Sequence, residues 1–259
     1  MTSEEFTNAH PALAQFWHPV ALSAEVGREP VAGRLGGQGW ALARFGGGIA
    51  AFADACPHRR ARLSAGQVTD GTLQCLYHGW RFTPDGRCVD IPALEDTASI
   101  PERATLRRPA KVAEQDGMVW LAPEPPRAPI PELHPGVPLA GGGIATVILP
   151  VLRVEANAAI LIDNFLDADG WQFLTFTVAP EDERACRVYQ TVTGPGLTDP
   201  EQAESTAKYE MSIFDEDLDL QRRALSGLEF PLDVAAELHT RADRISVEFR
   251  RVLAAAVSG

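Results

Sequence analysis

Two cysteine–histidine pairs are the strongest chemical signal in this sequence. Cys56 and His58 form the first pair, and Cys75 and His78 form the second. Each pair offers one thiolate and one imidazole, which suits a cluster of two irons and two sulfides with both cysteines on one iron and both histidines on the other. The same four side chains can also hold one zinc ion tetrahedrally, so the spacing alone leaves two metals open.

The residues around the pairs favour the iron–sulfur interpretation. The segment CPHRRARLSAGQVTDGTLQCLYHGW, residues 56–80, has strand-like sequence on both sides. We expect Pro57 to stiffen the first loop, Gly79 to let the second loop turn sharply, and Trp80 to shield a bound cluster from water. Histidine ligation reduces the negative charge on such a cluster, so its reduction potential lies at roughly −150 to +300 mV, against about −400 mV for all-cysteine plant-type clusters. The predicted chemistry is a one-electron relay.

At this point the sequence resembles a known family. CPH…CLYHGW resembles the cluster-binding signature of Rieske proteins, specifically the Rieske non-haem iron oxygenases. FWHPVAL, GRCVDIPAL and DGMVWLA extend the resemblance through residues 11–122, and IDNFLDADG, EDLDLQ and LHTRADRISVEFRR resemble pieces of the oxygenase catalytic domain. The resemblance implies a Rieske-type 2Fe–2S cluster. One departure lies in the first loop, where the family commonly has Gly and this chain has Arg60.

The sequence around the signature, in the first half of the chain, predicts β-strands that would hold the two loops in position. WALARF and IAAFADA predict one hairpin across GGG, and KVAEQ and MVWLA predict another across an Asp-Gly turn. We find no helix signal between residues 31 and 122. Residues 121–143 hold seven prolines and end in three glycines, which predicts a connecting segment.

The second half mixes strands and helices. ATVILPVLRVE and FLTFTVAPEDERACRVYQTVT predict strands, and ANAAILIDNFLDAD predicts a short helix. A helix is predicted from Ser212 to Leu225, with Phe214 and Leu218 on its packed face. A final amphipathic helix over residues 233–256 is predicted to pack on the core through a stripe of Val234, Leu238, Ile245, Phe249 and Val252.

The predicted fold class is α+β, with an all-β Rieske cluster domain followed by a shortened, helix-grip-like domain of catalytic type. We place the cluster domain at residues 11–122, a Pro/Gly-rich linker at 123–143 and the shortened α+β domain at 144–259.

In the oxygenase family the cluster feeds a mononuclear iron(II) held by two histidines and one carboxylate. By resemblance the two histidines belong at about Gly170 and Thr175, and neither residue has an imidazole. Asp217 matches the third ligand of the family. The alternative interpretation is that Asp217 is one residue of the acidic run DEDLD, with no metal-binding role. Asp167 matches the carboxylate that bridges the cluster of one subunit to the iron of its neighbour, and its alternative is a solvated carboxylate at a helix end.

The histidine inventory makes a replacement site difficult to build. Only His10, His18, His134 and His239 remain, and no two share a short helical spacing. About forty residues separate Thr175 from EDLDLQ, where the family usually has a long run of strands around the substrate cavity. These observations predict an internal deletion just after Gly170, and with it the loss of the mononuclear iron site.

The other candidate residues have structural interpretations. Cys88 and Cys186 have no histidine at ligand spacing, so we expect both to be small buried hydrophobes. Asp163 and Asn164 are expected to cap a helix or join a polar network.

Composition excludes some partners. The formal net charge of −12 argues against nucleic acid, because phosphate binding needs a basic surface. No apolar run approaches the roughly 20 residues that span a bilayer, which predicts no membrane partner. The acidic N-terminal segment lacks the layout of a signal peptide, and a cytoplasmic location is therefore expected.

The predicted function is that of a Rieske 2Fe–2S oxidoreductase that relays single electrons. A ferredoxin or a flavin/iron–sulfur reductase would supply the electron, with Arg59, Arg60 and Arg62 as a docking patch for an acidic donor. The resemblance implies a homo-oligomer, by analogy a trimer. Three alternatives remain: an active Rieske monooxygenase with an atypical iron site, a non-catalytic partner subunit of a full-length oxygenase, and a zinc-stabilised binding module.

Overall fold

The chain divides into two compact units in the computed structural model. The first unit is Leu13–Ile130, and the second joins Pro131–Gly259 to the residues before Leu13. The structure describes residues 6–132, 144–164, 173–225, 230–236, 239–240 and 243–258. Residues 133–143 lie outside these ranges, so the predicted linker and domain bounds stay predictions.

The first unit consists of short antiparallel strands. They are β1 (His18–Leu22), β2 (Val31–Leu35), β3 (Gln38–Phe45), β4 (Gly48–Ala53), β5 (Gln67–Thr69), β6 (Thr72–Gln74), β7 (Arg81–Phe82), β8 (Cys88–Asp90), β9 (Lys111–Gln115) and β10 (Met118–Ala122). They form three sheets, in the orders β1-β10-β9, β2-β3-β4 and β5-β6-β7-β8. Every residue of this unit is described, and its only helical elements are 3-10 turns, as the absence of a helix signal predicted.

Turn chemistry explains the hairpin between β9 and β10. Asp116 and Gly117 both have positive φ, at 52° and 75°. This is the backbone of a type I′ turn, whose twist matches that of the flanking strands and for which Asp-Gly is a favoured pair. The hairpin predicted at this position is confirmed, with Met118 opposite Gln115.

The core of the first unit holds the two signature loops in place. Phe52 on β4, Leu63, Leu73 on β6 and Phe82 on β7 are fully buried in one cluster. The first loop leaves the end of β4, and the second connects β6 to β7. Both loops therefore begin and end on strands whose side chains share one packed core.

The second unit combines one sheet with helices. Its elements are β11 (Ile144–Ile148), β12 (Leu152–Val154), α1 (Ala158–Asn164), β13 (Phe173–Pro180), β14 (Cys186–Pro195), α2 (Pro200–Ala224) and α3 (Arg244–Ser258). β14 pairs with β11, β12 and β13, all antiparallel. Phe214 and Leu218 of α2 pack with Leu161 of α1 and Val188 of β14, so α1 and α2 share one core with this sheet. The strands, the short helix and the packed face predicted for α2 are confirmed.

The start of α2 differs from the prediction. The helix begins at Pro200, well before the predicted Ser212. Asp199 caps it by accepting the N–H of Glu201, and Pro200 occupies the first turn, which its fixed φ favours. The first half of the helix is polar on most sides, so apolar periodicity could not reveal it.

The prediction for the last helix is wrong in extent and in part of its packed face. Val234 lies in a 3-10 turn, and α3 begins only at Arg244. Ile245 and Val252 are exposed, whereas Arg250 is buried. The guanidinium of Arg250 lies 4.4 Å from the ring centroid of Phe230 and pairs with a carboxylate, which makes its burial tolerable. Of the other predicted stripe members, Phe249 is half-buried with its ring centroid 6.2 Å from that of Phe230, and Leu238 lies outside the described residues.

A polar network holds α1 at both ends. Asn8 is buried and its side-chain oxygen accepts the N–H of Ala158 at 2.7 Å, which caps the start of the helix from 150 residues away. Near the other end, the carboxylate of Asp163 accepts hydrogen bonds from Ser246 and Arg250. The expected polar-network role of Asp163 is therefore confirmed. None of the helices in the described ranges has the length and hydropathy that crossing a lipid bilayer requires.

Candidate metal centre

The two signature loops have the same backbone design. In each loop the cysteine N–H donates to a carbonyl five residues later, from Cys56 to Ala61 and from Cys75 to Trp80, both at 2.8 Å. In each loop the cysteine carbonyl also accepts the N–H of the residue four positions later, which is Arg60 in the first loop and Gly79 in the second. The two cysteines are thus presented by equivalent tight turns.

Both turns require a left-handed residue at the same place. Gly79 has φ +73°, and a Cβ there would lie 3.0 Å from Pro92 Cγ, so the sharp turn predicted at this glycine is confirmed. Arg60 has φ +57°, a region that costs a residue with a Cβ about 1–2 kcal/mol. The departure from the family's glycine therefore falls at a position where the backbone favours glycine.

At the end of the first loop, Ser64 donates its N–H and hydroxyl to Asp54, at 2.8 and 2.7 Å.

The two thiols lie together inside the unit. Cys56 and Cys75 are each 2% exposed and belong to one core cluster. Burial raises the pKa of the Cys56 thiol to about 11, against backbone hydrogen bonds from His58 and Arg59, and Cys75 adds to the rise. Burial disfavours the thiolate form because it leaves the negative charge poorly solvated. A metal cation bound in place of the thiol protons would neutralise that charge.

The two imidazoles lie together at the surface. The ring centroids of His58 and His78 are 4.6 Å apart, and both residues are exposed. The indole of Trp80 stacks on His58 at 4.9 Å, with the ring planes 5° from parallel. Partial desolvation lowers the pKa of His58, and the charges of His78 and Arg59 lower it further. This favours the neutral imidazole, the form that binds metal.

This donor set fits the predicted cofactor. The four side chains separate into a buried pair of thiols and an exposed pair of imidazoles, as a cluster with both cysteines on one iron and both histidines on the other requires. The remaining cysteines, Cys88 and Cys186, are buried as predicted. Burial raises the pKa of Cys186 to about 12, with the charge of Glu181 adding to the rise.

The surface around the imidazoles combines basic and apolar side chains. Arg59, Arg60 and Arg62 are all exposed on the first loop. On the second loop, Leu76 is 75% exposed and Tyr77 is 60% exposed. The sequence analysis identified the three arginines and missed Leu76 and Tyr77. A signal for these two residues was present, because they lie between Cys75 and His78 in CLYHGW. When both flanking residues of a tight turn face a metal, the residues between them face outward.

The candidates for a second metal are not brought together with histidines in the part of the chain that the structure describes. Asp217 is half-exposed on α2, and Asp167 and Gly170 lie outside the described residues. Thr175 lies within β13, opposite Thr191 of β14. Within the described ranges, no group of three or more His, Cys, Asp or Glu side chains surrounds a single ion site.

One other histidine has a structural role. His18 on β1 is buried, and its Nε2 lies 2.8 Å from the carbonyl oxygen of Leu13. Desolvation lowers its pKa, against that hydrogen bond, so the neutral ring is favoured.

Comparison with known families identifies two regions. Residues 16–101 match the model described as the Rieske [2Fe-2S] domain, and residues 168–259 match the vanillate O-demethylase oxygenase C-terminal domain. These matches agree with the sequence resemblance, both in the first unit and in the second.

Several named proteins are similar to this chain. Protein TIC 55, chloroplastic, from Arabidopsis thaliana is 38% identical over 153 residues, which cover 58% of this chain and 28% of that protein. The oxygenase component of dicamba O-demethylase from Stenotrophomonas maltophilia is 29% identical over 181 residues, which cover 70% of this chain and 52% of that protein. The chain thus spans between about a quarter and about half of the length of these relatives. Because relatives include chloroplastic proteins, the expected cytoplasmic location stays a prediction.

Solved structures share the fold. NdmB of Pseudomonas putida superimposes with a TM-score of 0.80 at 23% identity, over 96% of this chain and 92% of that chain. Dicamba monooxygenase bound to dicamba superimposes with a TM-score of 0.76 at 20% identity, over 98% of both chains. The predicted α+β fold class, with an antiparallel cluster domain first, is confirmed.

Proposed function

Because this chain belongs to the Rieske oxygenase family, we propose that it relays single electrons through a Rieske 2Fe–2S cluster held by Cys56, His58, Cys75 and His78. The observation that carries this proposal is the pairing of these side chains across two equivalent turns, with thiols inside and imidazoles outside. When bound, such a cluster stores one electron at a potential well above that of all-cysteine clusters.

The two cysteines, the two histidines and Trp80 would have different roles in such a relay. Cys56 and Cys75 provide sulfur ligands from which the surrounding core excludes water. His58 and His78 bring the other half of the site to the surface, where a partner's redox group can approach. Trp80 covers one face of His58 and holds that ring in a single orientation.

The electron donor is proposed to bind over the exposed imidazoles. Leu76 and Tyr77 supply an apolar centre, and Arg59, Arg60 and Arg62 supply positive charge beside it. An apolar centre with a charged rim is the usual organisation of a transient interface. The positive rim favours an acidic donor of the ferredoxin type, or an acidic face of a reductase.

The mononuclear iron that members of this family also carry is proposed to be lost. Two observations support this: Gly170 and Thr175 stand where the two histidines are expected, and Thr175 is part of a strand. Asp217 and a bridging Asp167 would then be remnants of that site. The same observations favour a second candidate function, a non-catalytic partner that delivers electrons to a complete oxygenase subunit.

Metal content and spectroscopy on anaerobically purified protein test this proposal. We expect about two irons and two acid-labile sulfides per chain, with a Rieske-type EPR signal after reduction. A colourless protein that contains zinc would contradict the cluster. A third iron that survives desalting would contradict the loss of the mononuclear site, and substrate-dependent oxygen uptake by the isolated chain would do the same.

A further inference from the structure

The two loops that carry the cysteine–histidine pairs are closed in different ways. The second loop runs from β6 to β7, and these strands pair with each other, with Gln74 opposite Arg81. Backbone hydrogen bonds between the two strands therefore hold the ends of the second loop together. The first loop runs from β4 to β5, which lie in different sheets and do not pair. The closure of the first loop therefore depends on contacts other than strand pairing.

The side chain of Asp54 closes the first loop. Asp54 follows the last residue of β4, and its own N–H donates to the carbonyl of Gly39 on β3 at 2.9 Å. Its two carboxylate oxygens accept separate hydrogen bonds from Ser64, one from the N–H at 2.8 Å and one from the hydroxyl at 2.7 Å. Hydrogen bonds to a charged carboxylate are among the stronger ones in proteins. Cys56 and His58 lie between the two residues in the chain, so this pair of bonds, the Asp54–Ser64 clasp, bridges the segment that carries the first two ligands.

The far end of the clasp lies against the second loop. Ser64 belongs to a 3-10 turn that ends at Gly66, whose N–H donates to the carbonyl of Leu63 at 2.9 Å. Gly66 packs directly on the backbone of Gln74, since a Cβ at this glycine would lie 2.2 Å from the Gln74 carbonyl oxygen. Gln74 immediately precedes Cys75. A path of short contacts therefore runs from β3 through the clasp to the second cysteine.

We propose that Asp54 is a positioning residue that sets the separation of the two turns and so holds the four ligands in one arrangement. This inference rests on the proposed cluster site. Without the clasp, the end of the first loop would no longer be tied to β3, and Cys56 and His58 would be held less firmly relative to Cys75 and His78. Groups that orient metal ligands in this way contribute strongly to metal affinity.

Two substitutions separate the hydrogen bonds of Asp54 from its charge. Asp54→Ala removes the charge and both bonds. Asp54→Asn removes the same charge, but its amide can accept the N–H of Ser64 and donate to the hydroxyl oxygen. In the cofactor-loaded protein, Asp54→Ala is expected to lose its visible absorbance to an iron chelator about tenfold faster than wild type, with shifted or broadened lines in the EPR spectrum of the reduced form. Asp54→Asn is expected to match wild type in both measurements.

Two further variants act as controls. Ser64→Ala removes only the hydroxyl bond of the clasp and is expected to bleach at an intermediate rate. Asp96→Ala removes an equal charge and a carboxylate bond to the N–H of Ala98, at 2.9 Å, in a segment that carries none of the four ligands. This variant is expected to match wild type. All rates are measured well below the melting temperature of every variant.

The proposal is overturned if Asp54→Ala keeps the wild-type rate and spectrum, if Asp54→Asn bleaches as fast as Asp54→Ala, or if Asp96→Ala does so. If Asp54→Ala takes up no cluster, Ser64→Ala decides the question, and a wild-type rate and spectrum for that variant overturn the proposal. A wild-type protein without iron and sulfide contradicts the cluster itself. A loaded wild type with unaffected variants contradicts only the role of Asp54.

Discussion

Arg60 and Gly79 occupy equivalent positions in the two turns that present the cysteines. Each donates its N–H to the carbonyl of the cysteine four residues earlier, and each has positive φ, at 57° and 73°. Gly79 adopts this backbone without strain and Arg60 does not.

The two positions should therefore respond in opposite directions to substitution. Arg60→Gly is expected to stabilise the protein by up to about 1 kcal/mol, because relief of strain exceeds the added flexibility of the unfolded chain. Gly79→Ala is expected to destabilise it by about 1–2 kcal/mol or more, because the new Cβ meets Pro92. Thermal melting of the loaded protein measures both, and equal shifts for the two variants would contradict the equivalence of the turns.

The positive charge of Arg60 should matter to the electron donor. Arg60→Glu is expected to slow reduction by an acidic ferredoxin about tenfold at low ionic strength, and the difference should shrink at high salt as the charges are screened. Stopped-flow reduction across a salt series measures this. Arg34→Glu, on β2, makes the same change in net charge elsewhere in the unit. If both variants slow reduction equally, the effect comes from the net charge of the protein. The donor then does not bind over the first loop as proposed.

Removal of the Trp80 indole should weaken retention of the cluster. Trp80→Leu leaves His58 without its stacked neighbour, and loss of such a supporting group typically costs about 10–100-fold in metal affinity. Trp80→Phe keeps an aromatic ring and should lose much less. Bleaching of the visible absorbance in the presence of an iron chelator measures the rate. Identical rates in wild type and Trp80→Leu would remove any role for the stacking.

An ion pair between strands makes a pH-dependent contribution to stability. Hydrogen bonds from Arg44 lower the pKa of the Glu114 carboxylate below its ordinary value of 4.5, against a smaller effect of burial. A lowered folded-state pKa means that the unfolded chain binds more protons, so this contribution is fully present above about pH 4.5 and is lost as the pH falls through the folded value. Both side chains are 31% exposed, which limits the contribution to about 1 kcal/mol.

Glu114→Gln is therefore expected to lower the melting temperature at pH 7 by about 2–4 °C. The gap between wild type and variant should close towards pH 3, because wild type alone loses this contribution on acidification. The other acid-sensitive groups are the same in the two proteins, so their contributions cancel in this difference. A gap that is constant from pH 7 to pH 3 would rule out the linkage.

The buried pair that joins α1 to α3 should be strongly coupled. Arg250 and Asp163 have side chains 6% and 18% exposed, at 3.3 Å, so removing either partner leaves a poorly solvated charge. Arg250→Met is expected to cost about 3 kcal/mol, and adding Asp163→Asn should cost little more. A double-mutant cycle by denaturation measures the coupling, and additive effects would show that the pair contributes nothing.

The sequence by itself determined the parts of this protein that depend on local chemistry. Cys56, His58, Cys75 and His78 could be recognised because metal ligands must occur in specific types at short spacing. The hairpin at Asp116 and the strands of both units could be predicted because a turn and an alternating pattern are properties of a few adjacent residues.

The tertiary structure alone decided the features that depend on distant residues. Ile245 and Val252 have helical spacing suited to a core, yet they face solvent because Arg250 takes the buried position, which is favourable only in the presence of Asp163 and Phe230. Asn8 caps a helix that begins 150 residues later, which no local pattern can reveal. The pairing of His58 with His78 likewise depends on two turns that only the packed core brings side by side.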